Sequence, residues 1–445
     1  MNLILLLLAA RCWQGRPIER ATRVLASIAA LSLEMQVATW SGLATLDRLV
    51  LFNGVLAVAS FFLWARSPTG TREPGIVPPW PATVALAALV VAVSAVRPVT
   101  AADPYHLLRV EQIQRIGTLA YDPAVADVKV NALAGSYELV LADLRVPGTG
   151  LSLVRLNGLF GLALYLVALS AIAEWLPPPN RWMLVVLLVI PVVYDQLVLV
   201  KNDLFGAVPA LIALAWLVAR LPDARSSEVA WAAALVGFAV GVKVSSVPIA
   251  VVFAIAVLHD RRSDWTALAM MIAGGIAGAV AGGLLFTILE NVRIYGGIVA
   301  PYAELGNQTT TPGQAMVSIG RFAMSLVDMG IVTPRVWPGR GGWGGTFGLP
   351  FVWALVVMAV NWQIPNVRRA AVICGGCFVL FAALYPDADV AQRMMIAPGV
   401  LIVVTAVWSL ATPGPWAPRL RTALSIVIAL SAAQIARSAY LYTIR

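Results

Sequence analysis

The chain alternates long apolar runs with shorter polar connections, and within each run the apolar residues follow one another without a break. A helix needs about 20 apolar residues to cross a bilayer. Hydrocarbon offers no partner to backbone polar groups, so continuous runs of this length predict helices. The pattern predicts an all-α polytopic membrane protein, a helical bundle of about 12 transmembrane segments, between residues 24 and 441.

Composition supports this class. Charged residues make up 12% of the chain and hydrophobic residues 60%, with a mean hydropathy of +0.84. Soluble domains carry roughly 25% charged residues. The net charge of +9 comes from arginines in short connections, where basic side chains set membrane topology and contact anionic lipid. We therefore expect membrane lipids, and no nucleic acid, as partners.

Alternate connections differ in charge. One set is short and basic, with Arg16, Arg220, Arg262 and Arg368 among its members, so the positive-inside rule predicts that it is cytoplasmic. The other set contains the long connections, above all residues 97–150, and is predicted to face outward.

The order of segments predicts three parts. Residues 1–80 hold N-terminal accessory segments, residues 81–345 a core with the outer loop 97–150, and residues 346–445 the C-terminal segments. Val110 and Ile113 fall on one side of a predicted helix in the loop, with Arg109 and Gln112 elsewhere, as in helices that lie along a membrane surface.

The outer loop carries residues suited to chemistry at the lipid boundary. Asp103 precedes Pro104, which is typical of a helix N-cap, yet a carboxylate there also suits a general base. His106 fits either a ligand contact or an anchor for the helix. The sequence leaves both pairs of alternatives open.

Lysine is rare in this chain, with three lysines among the 31 basic residues. Two of them, Lys201 and Lys243, stand at the ends of apolar runs on the predicted outer side. A compact ammonium suits a phosphate, whereas the alternative is a side chain that snorkels to the interface. Charges beside the bilayer are functional candidates, and this predicts further outer-face candidates at Asp195, Arg293 and Arg393.

Glycines 274, 278 and 282 recur every four residues and predict a face for close helix packing. We find no His, Asp or Glu cluster with metal-ligand spacing, so no metal and no cofactor is predicted.

In this order, the segments resemble the GT-C superfamily of membrane glycosyltransferases, especially bacterial relatives of the protein mannosyltransferases and of the aminoarabinose transferase of lipid A. The resemblance covers roughly residues 81–411 and is carried by short motifs: an acid followed by Tyr105-His106-Leu107 and Arg109-Val110, then Lys201-Asn202-Asp203, Gly241-Val242-Lys243, Glu290-Asn291 with Arg293, and Arg393 before Pro398.

The resemblance implies a GT-C-like bundle in a bacterial inner (plasma) membrane, with its active site on the extracytoplasmic face. It implies inverting transfer of a sugar from a polyprenyl-phosphate donor to a lipid, glycan or protein acceptor. Asp103 would be the catalytic base. Relatives often place the acid further from the Tyr-His pair, which leaves Asp195 and Asp203 as alternatives.

For the other candidates the expected roles fall into two groups. Donor-phosphate binding is expected of Lys201, Lys243, Arg293 and Arg109, and substrate binding of Tyr105, His106, Asn202, Asp203, Asp195 and Arg393. Competing functions are a transporter or flippase of a lipid-linked sugar, a surface-polysaccharide polymerase or ligase, and a non-catalytic assembly subunit.

Overall fold

The structure is a computed structural model that describes residues 10–45, 73–96, 104–117, 136–144, 157–298, 311–326, 346–385 and 392–444, together with residues 7, 58 and 62. Over these residues the chain is all-helical and has no β-strand. The predicted helical class is therefore confirmed.

The described α-helices are numbered in chain order as α1 Pro17–Trp40, α2 Trp80–Val96, α3 Pro104–Ile116, α4 Ser136–Leu144, α5 Asn157–Ile172, α6 Val185–Leu188, α7 Pro191–Val198, α8 Asp203–Arg220, α9 Ser226–Val242, α10 Val247–Arg261, α11 Trp265–Ala281, α12 Leu284–Tyr295, α13 Pro312–Leu326, α14 Gly348–Val360, α15 Pro365–Leu384, α16 Ile396–Ser409 and α17 Ala417–Ile444.

Five described helices are long and apolar enough to cross a membrane, or up to seven if each of two bent pairs counts as one span. These five are Asp203–Arg220, Val244–Arg261, Pro365–Leu384, Gln392–Ser409 and Ala417–Tyr440. The chain is a multi-pass membrane protein. The figure of about 12 segments stays a prediction, because some expected spans lie outside the described residues and others are shorter apolar helices.

Helix α8 lies in the interior of the bundle. Of this apolar helix, 89% is buried inside the protein, against α5, α9, α15 and α16. A helix that is apolar on all sides has to be covered by other helices or by lipid, and here protein covers most of it. The first residue of α8, Asp203, is therefore held at the centre of one end of the bundle.

Helices α9 and α11 pack against each other through glycine. A Cβ atom added at Gly274, Gly278 or Gly282 would overlap the backbone carbonyl oxygen of Ala230, Ala234 or Phe238, respectively. Only a residue without a Cβ lets the two backbones approach this closely. The predicted glycine face is confirmed.

Two apolar runs that the sequence presents as single spans are broken helices. Residues 181–198 bend by 61° before Pro191, whose ring cannot continue a helix from the preceding turn. Residues 265–293 bend by 60° at Gly282 and Gly283, where Gly283 has a φ of +94°. Each pair still counts as one possible span, and hydropathy alone does not show the bend.

The bend after α11 frees carbonyl groups inside the protein, and α1 supplies their partners. The Ser32 hydroxyl donates to the Ala281 carbonyl at 2.5 Å, and the Gln36 amide donates to the same oxygen at 3.1 Å. Polar side chains of neighbouring helices commonly satisfy a broken helix in this way. The N-terminal helix is thus attached to the core.

Within the outer loop 97–150 the structure describes α3 and α4, which pack against each other. Helix α3 begins at Pro104, where the sequence places a helix start, whereas Asp103 lies outside the described residues. Arg109 and Gln112 are buried, at 1% and 2% exposure. For Arg109 and Gln112 the expectation of an exposed polar side on a helix at the membrane surface is wrong, because α4 and its neighbours cover α3.

Candidate active site

Asp203 forms ion pairs with two residues from distant parts of the chain. The Lys243 ammonium donates a hydrogen bond to Asp203 Oδ1, and Arg393 Nε lies 3.4 Å from Asp203 Oδ2. Asp203 opens α8, Lys243 follows the last residue of α9, and Arg393 lies in the 3₁₀ turn that precedes α16. Three helix ends therefore meet at one end of the bundle.

A second ion pair lies beside the first. Lys201 Nζ donates to Asp195 Oδ2 at 3.2 Å, and both side chains are more than nine-tenths buried. Lys201 also acts electrostatically on Asp203 and Lys243. The five residues Asp195, Lys201, Asp203, Lys243 and Arg393 form one group, here called the charge cluster.

Local backbone geometry places these side chains. The break before Pro191 makes α7 a short helix that carries Asp195 into the interior. The chain is extended at Leu199, which ends α7 and lets Lys201 turn back toward it. Lys243 is likewise extended between α9 and the 3₁₀ turn Val244–Ser246, so its ammonium reaches Asp203 across the helix ends.

The charge cluster carries three cations and two carboxylates, and so one net positive charge. Taking an ion out of water costs several kcal/mol unless the charge is balanced and hydrogen-bonded. A further anion at this position would balance the cluster.

Two polar atoms beside these charges lack a hydrogen-bond partner. Asn202 Oδ1 and Ser245 Oγ are buried and unbonded in the part of the chain that the structure describes. Buried polar atoms are bonded in the great majority of cases, so an exception calls for an explanation. The Ser245 hydroxyl can donate a hydrogen bond and the Asn202 amide oxygen can accept one. Beside a positive cluster, both are suited to a ligand that is polar and anionic.

A second polar group is connected to the first turn of α8 through an aromatic contact. His106 Nδ1 and Glu138 Oε1 are 2.6 Å apart, and both side chains are almost wholly buried. The neighbouring Tyr137 hydroxyl accepts a hydrogen bond from Asn157 Nδ2 at 2.5 Å. The Tyr137 ring lies 5.6 Å from that of Phe205, two positions after Asp203 in α8.

The structure brings most of the predicted site residues to these two groups. Asp195, Lys201, Asn202, Asp203, Lys243 and Arg393 meet at the end of the bundle. His106 belongs to the second polar group, and Arg109 lies in the same helix, α3. Arg293 is different: it bonds Glu290 at 2.6 Å within α12, and its side chain is 56% exposed. Asp103 and the side chain of Tyr105 lie outside the described residues.

Sequence reasoning missed two residues of this region. Ser245 lies two positions after Lys243, and its place next to a candidate cation could have indicated it. Glu138 is one of several acids in the outer loop, and no local pattern distinguishes it from the others. Among the residues described, no group of three or more His, Cys, Asp or Glu side chains is placed to hold a metal ion.

A comparison with known protein families matches the part of the chain that holds most of the charge cluster. The family model of glycosyltransferase family 87 matches residues 149–384, a little more than half of the 445 residues. The match includes every residue of the charge cluster except Arg393. No curated protein and no solved structure matches the chain.

Proposed function

Since the chain belongs to glycosyltransferase family 87, a GT-C-type family of membrane glycosyltransferases, we propose that it uses a polyprenyl-phosphate-linked sugar as donor. The sugar is transferred to a lipid, glycan or protein acceptor at the extracytoplasmic face of the membrane. A single displacement inverts the anomeric carbon. Membership of the family establishes a membrane glycosyltransferase, and the donor, the side and the mechanism are our proposal.

The charge cluster is the observation that supports this donor. A lipid phosphate enters from the membrane and needs cations at the depth of the helix ends, where Lys201, Lys243 and Arg393 are located. An ammonium binds phosphate as a point charge, and a guanidinium can bind it in a bidentate manner. The phosphate would supply the anion that balances the cluster.

The same cations suit the transition state. As the bond between the anomeric carbon and the phosphate oxygen breaks, negative charge grows on the departing phosphate. Fixed cations in a poorly solvated site stabilise such developing charge more strongly than water does. Ser245 and Asn202, which carry the unbonded polar atoms, extend the same site toward the sugar.

The proton of the acceptor goes to a carboxylate. We propose Asp103, because Asp195 and Asp203 each pair with a lysine and serve as counter-ions. The acceptor oxygen bonds the anomeric carbon, its proton moves to the Asp103 carboxylate, and the polyprenyl phosphate leaves. Asp103 directly precedes α3, which carries His106.

Reconstitution into vesicles with a donor carrying a labelled sugar tests this proposal. Wild type should move the label to an acceptor. Asp103→Asn should lose transfer while remaining folded, and Lys201→Ala should lose transfer at some cost in stability, because it leaves Asp195 without its lysine. Arg368→Ala is the matched control, because Arg368 is an exposed cation near the start of α15. Label that crosses the bilayer unchanged, or full transfer by Lys201→Ala, would overturn the proposal.

A further inference from the structure

A cavity of about 410 Å³ lies at the other end of α8 from the charge cluster. Helices α1, α5, α8 and α9 have their ends around it, and its lining includes Arg16, Glu174, Trp175, Trp216, Arg220 and Trp231. Helix α8 has 18 residues, which corresponds to about 27 Å of helix. The cavity and the charge cluster thus lie at opposite sides of a hydrocarbon layer, and the proposed reaction uses no residue of the cavity.

Arginines provide the cationic part of the lining. Arg220 is the last residue of α8 and is exposed, and Arg16 directly precedes α1. Arg16 uses Nε to bond Glu19 at 3.0 Å, and within the described part of the chain its terminal nitrogens make no such bond. Guanidinium groups are well matched to phosphate oxygens.

Carboxylates and indole rings provide other parts of the cavity lining. Glu174 accepts the Ile18 N–H at 2.7 Å through Oε1, and Glu228 accepts the Arg225 N–H at 2.9 Å through Oε2. Both glutamates are among the residues that line the cavity. Trp175 and Trp231 stand edge to face, with ring centroids 6.4 Å apart. Carboxylates together with indole faces are the groups that bind an ammonium.

The lining therefore balances two arginines against two glutamates. A ligand with one phosphate and one ammonium matches this arrangement, whereas a purely anionic ligand would bring an unbalanced charge next to the glutamates. Tryptophan, which lines this cavity at Trp175, Trp216 and Trp231, is common at the level of the lipid headgroups.

We propose that this cavity binds the headgroup of a zwitterionic phospholipid. The phosphate contacts Arg16 and Arg220, the ammonium lies against Glu174, Glu228 and the indoles, and the acyl chains extend along the bundle. The site is independent of sugar transfer.

The test uses the full chain in nanodiscs that contain phosphatidylethanolamine and phosphatidylglycerol in equal amounts. Native mass spectrometry measures the lipid retained after the protein is released. Wild type should retain phosphatidylethanolamine in preference. Arg220→Gln should lower that retention about fivefold, as expected for one basic group near a membrane surface. Glu174→Gln should shift the preference toward phosphatidylglycerol, since the amide oxygen still accepts the Ile18 N–H.

The control is Arg262→Gln, because Arg262 is exposed at the end of α10 on the same side but outside the cavity lining. It should leave lipid retention unchanged. A preference of wild type for phosphatidylglycerol would overturn the proposal, as would equal losses in Arg220→Gln and Arg262→Gln. A Glu174→Gln protein with normal thermal melting and unchanged lipid preference would also contradict it.

Discussion

Lys243 and Asp203 bond to each other across 40 positions of sequence, and the bond joins the end of α9 to the start of α8. The Asp203 side chain is 2% exposed and that of Lys243 is 21% exposed. An ion pair at this depth holds the helix ends in place, and it also keeps a cation next to the site where we expect a phosphate.

Replacing Lys243 by methionine should destabilise the protein, because the Asp203 carboxylate would lose its main partner while staying buried. Breaking one side of a buried pair costs about 3–5 kcal/mol, and Arg393 should offset part of this. The double variant Lys243→Met with Asp203→Asn should recover much of the loss. Denaturation in detergent, followed by intrinsic fluorescence, measures both values. A double variant no more stable than the single one would contradict the role of the pair.

Ser245→Ala should weaken donor binding without lowering stability. The Ser245 hydroxyl has no bonding partner among the described residues, so its removal breaks no bond within the protein. One hydrogen bond to the donor corresponds to about 1 kcal/mol, or roughly a fivefold rise in KM for the donor. Steady-state transfer assays and thermal melting check this, with Ser246→Ala in the same turn as control. If Ser245→Ala melts at a lower temperature and its KM for the donor is unchanged, Ser245 has a structural role and does not bind the donor.

Glu138→Gln should reduce transfer, because Glu138 orients the buried His106 ring through its carboxylate. Misplacing a group that positions a substrate lowers rates by up to about 100-fold. The fold should persist, since glutamine keeps an oxygen that accepts from His106. Transfer assays with Glu111→Gln as the matched control, a partly exposed acid of α3, separate this effect from a general loss of charge. Equal activity of the two variants would exclude an orienting role for Glu138.

Gly278→Leu should separate α9 from α11, because a side chain at this position meets the Ala234 carbonyl. Inserting atoms into a close contact costs about 1–3 kcal/mol or more, so we expect a lower melting temperature and less folded protein by size-exclusion chromatography. Gly275→Ala is the control, since a Cβ there has no atom within 4 Å. Similar melting of the two variants would mean that the helices do not depend on this contact.

Much of this fold could be predicted from the apolar runs and the charges at their ends. The four-residue spacing of glycines predicted a packing face on α11 but not that α9 would be its partner, and the pattern at the ends of the apolar runs placed Lys201 and Lys243 on one predicted side. The ion pair of Arg293 with Glu290 could also have been predicted, because residues three positions apart are neighbours on the surface of a helix.

Other features depend on parts of the chain that are distant in sequence. The run 181–199 remains apolar through its break, so hydropathy gives no sign of the bend, and Pro191 was the one available signal. The burial of Arg109 and the partner of His106 both follow from α4, which begins 20 residues after the end of α3. No pattern within α3 alone contains this information.

The hydrogen bonds from Ser32 and Gln36 to the Ala281 carbonyl have a practical consequence. The segment that matches the family begins at residue 149, which suggests an obvious site at which to trim the protein. A fragment cut there would lack both side chains of α1 that bond the Ala281 carbonyl. We therefore expect a stable fragment to extend back to α1.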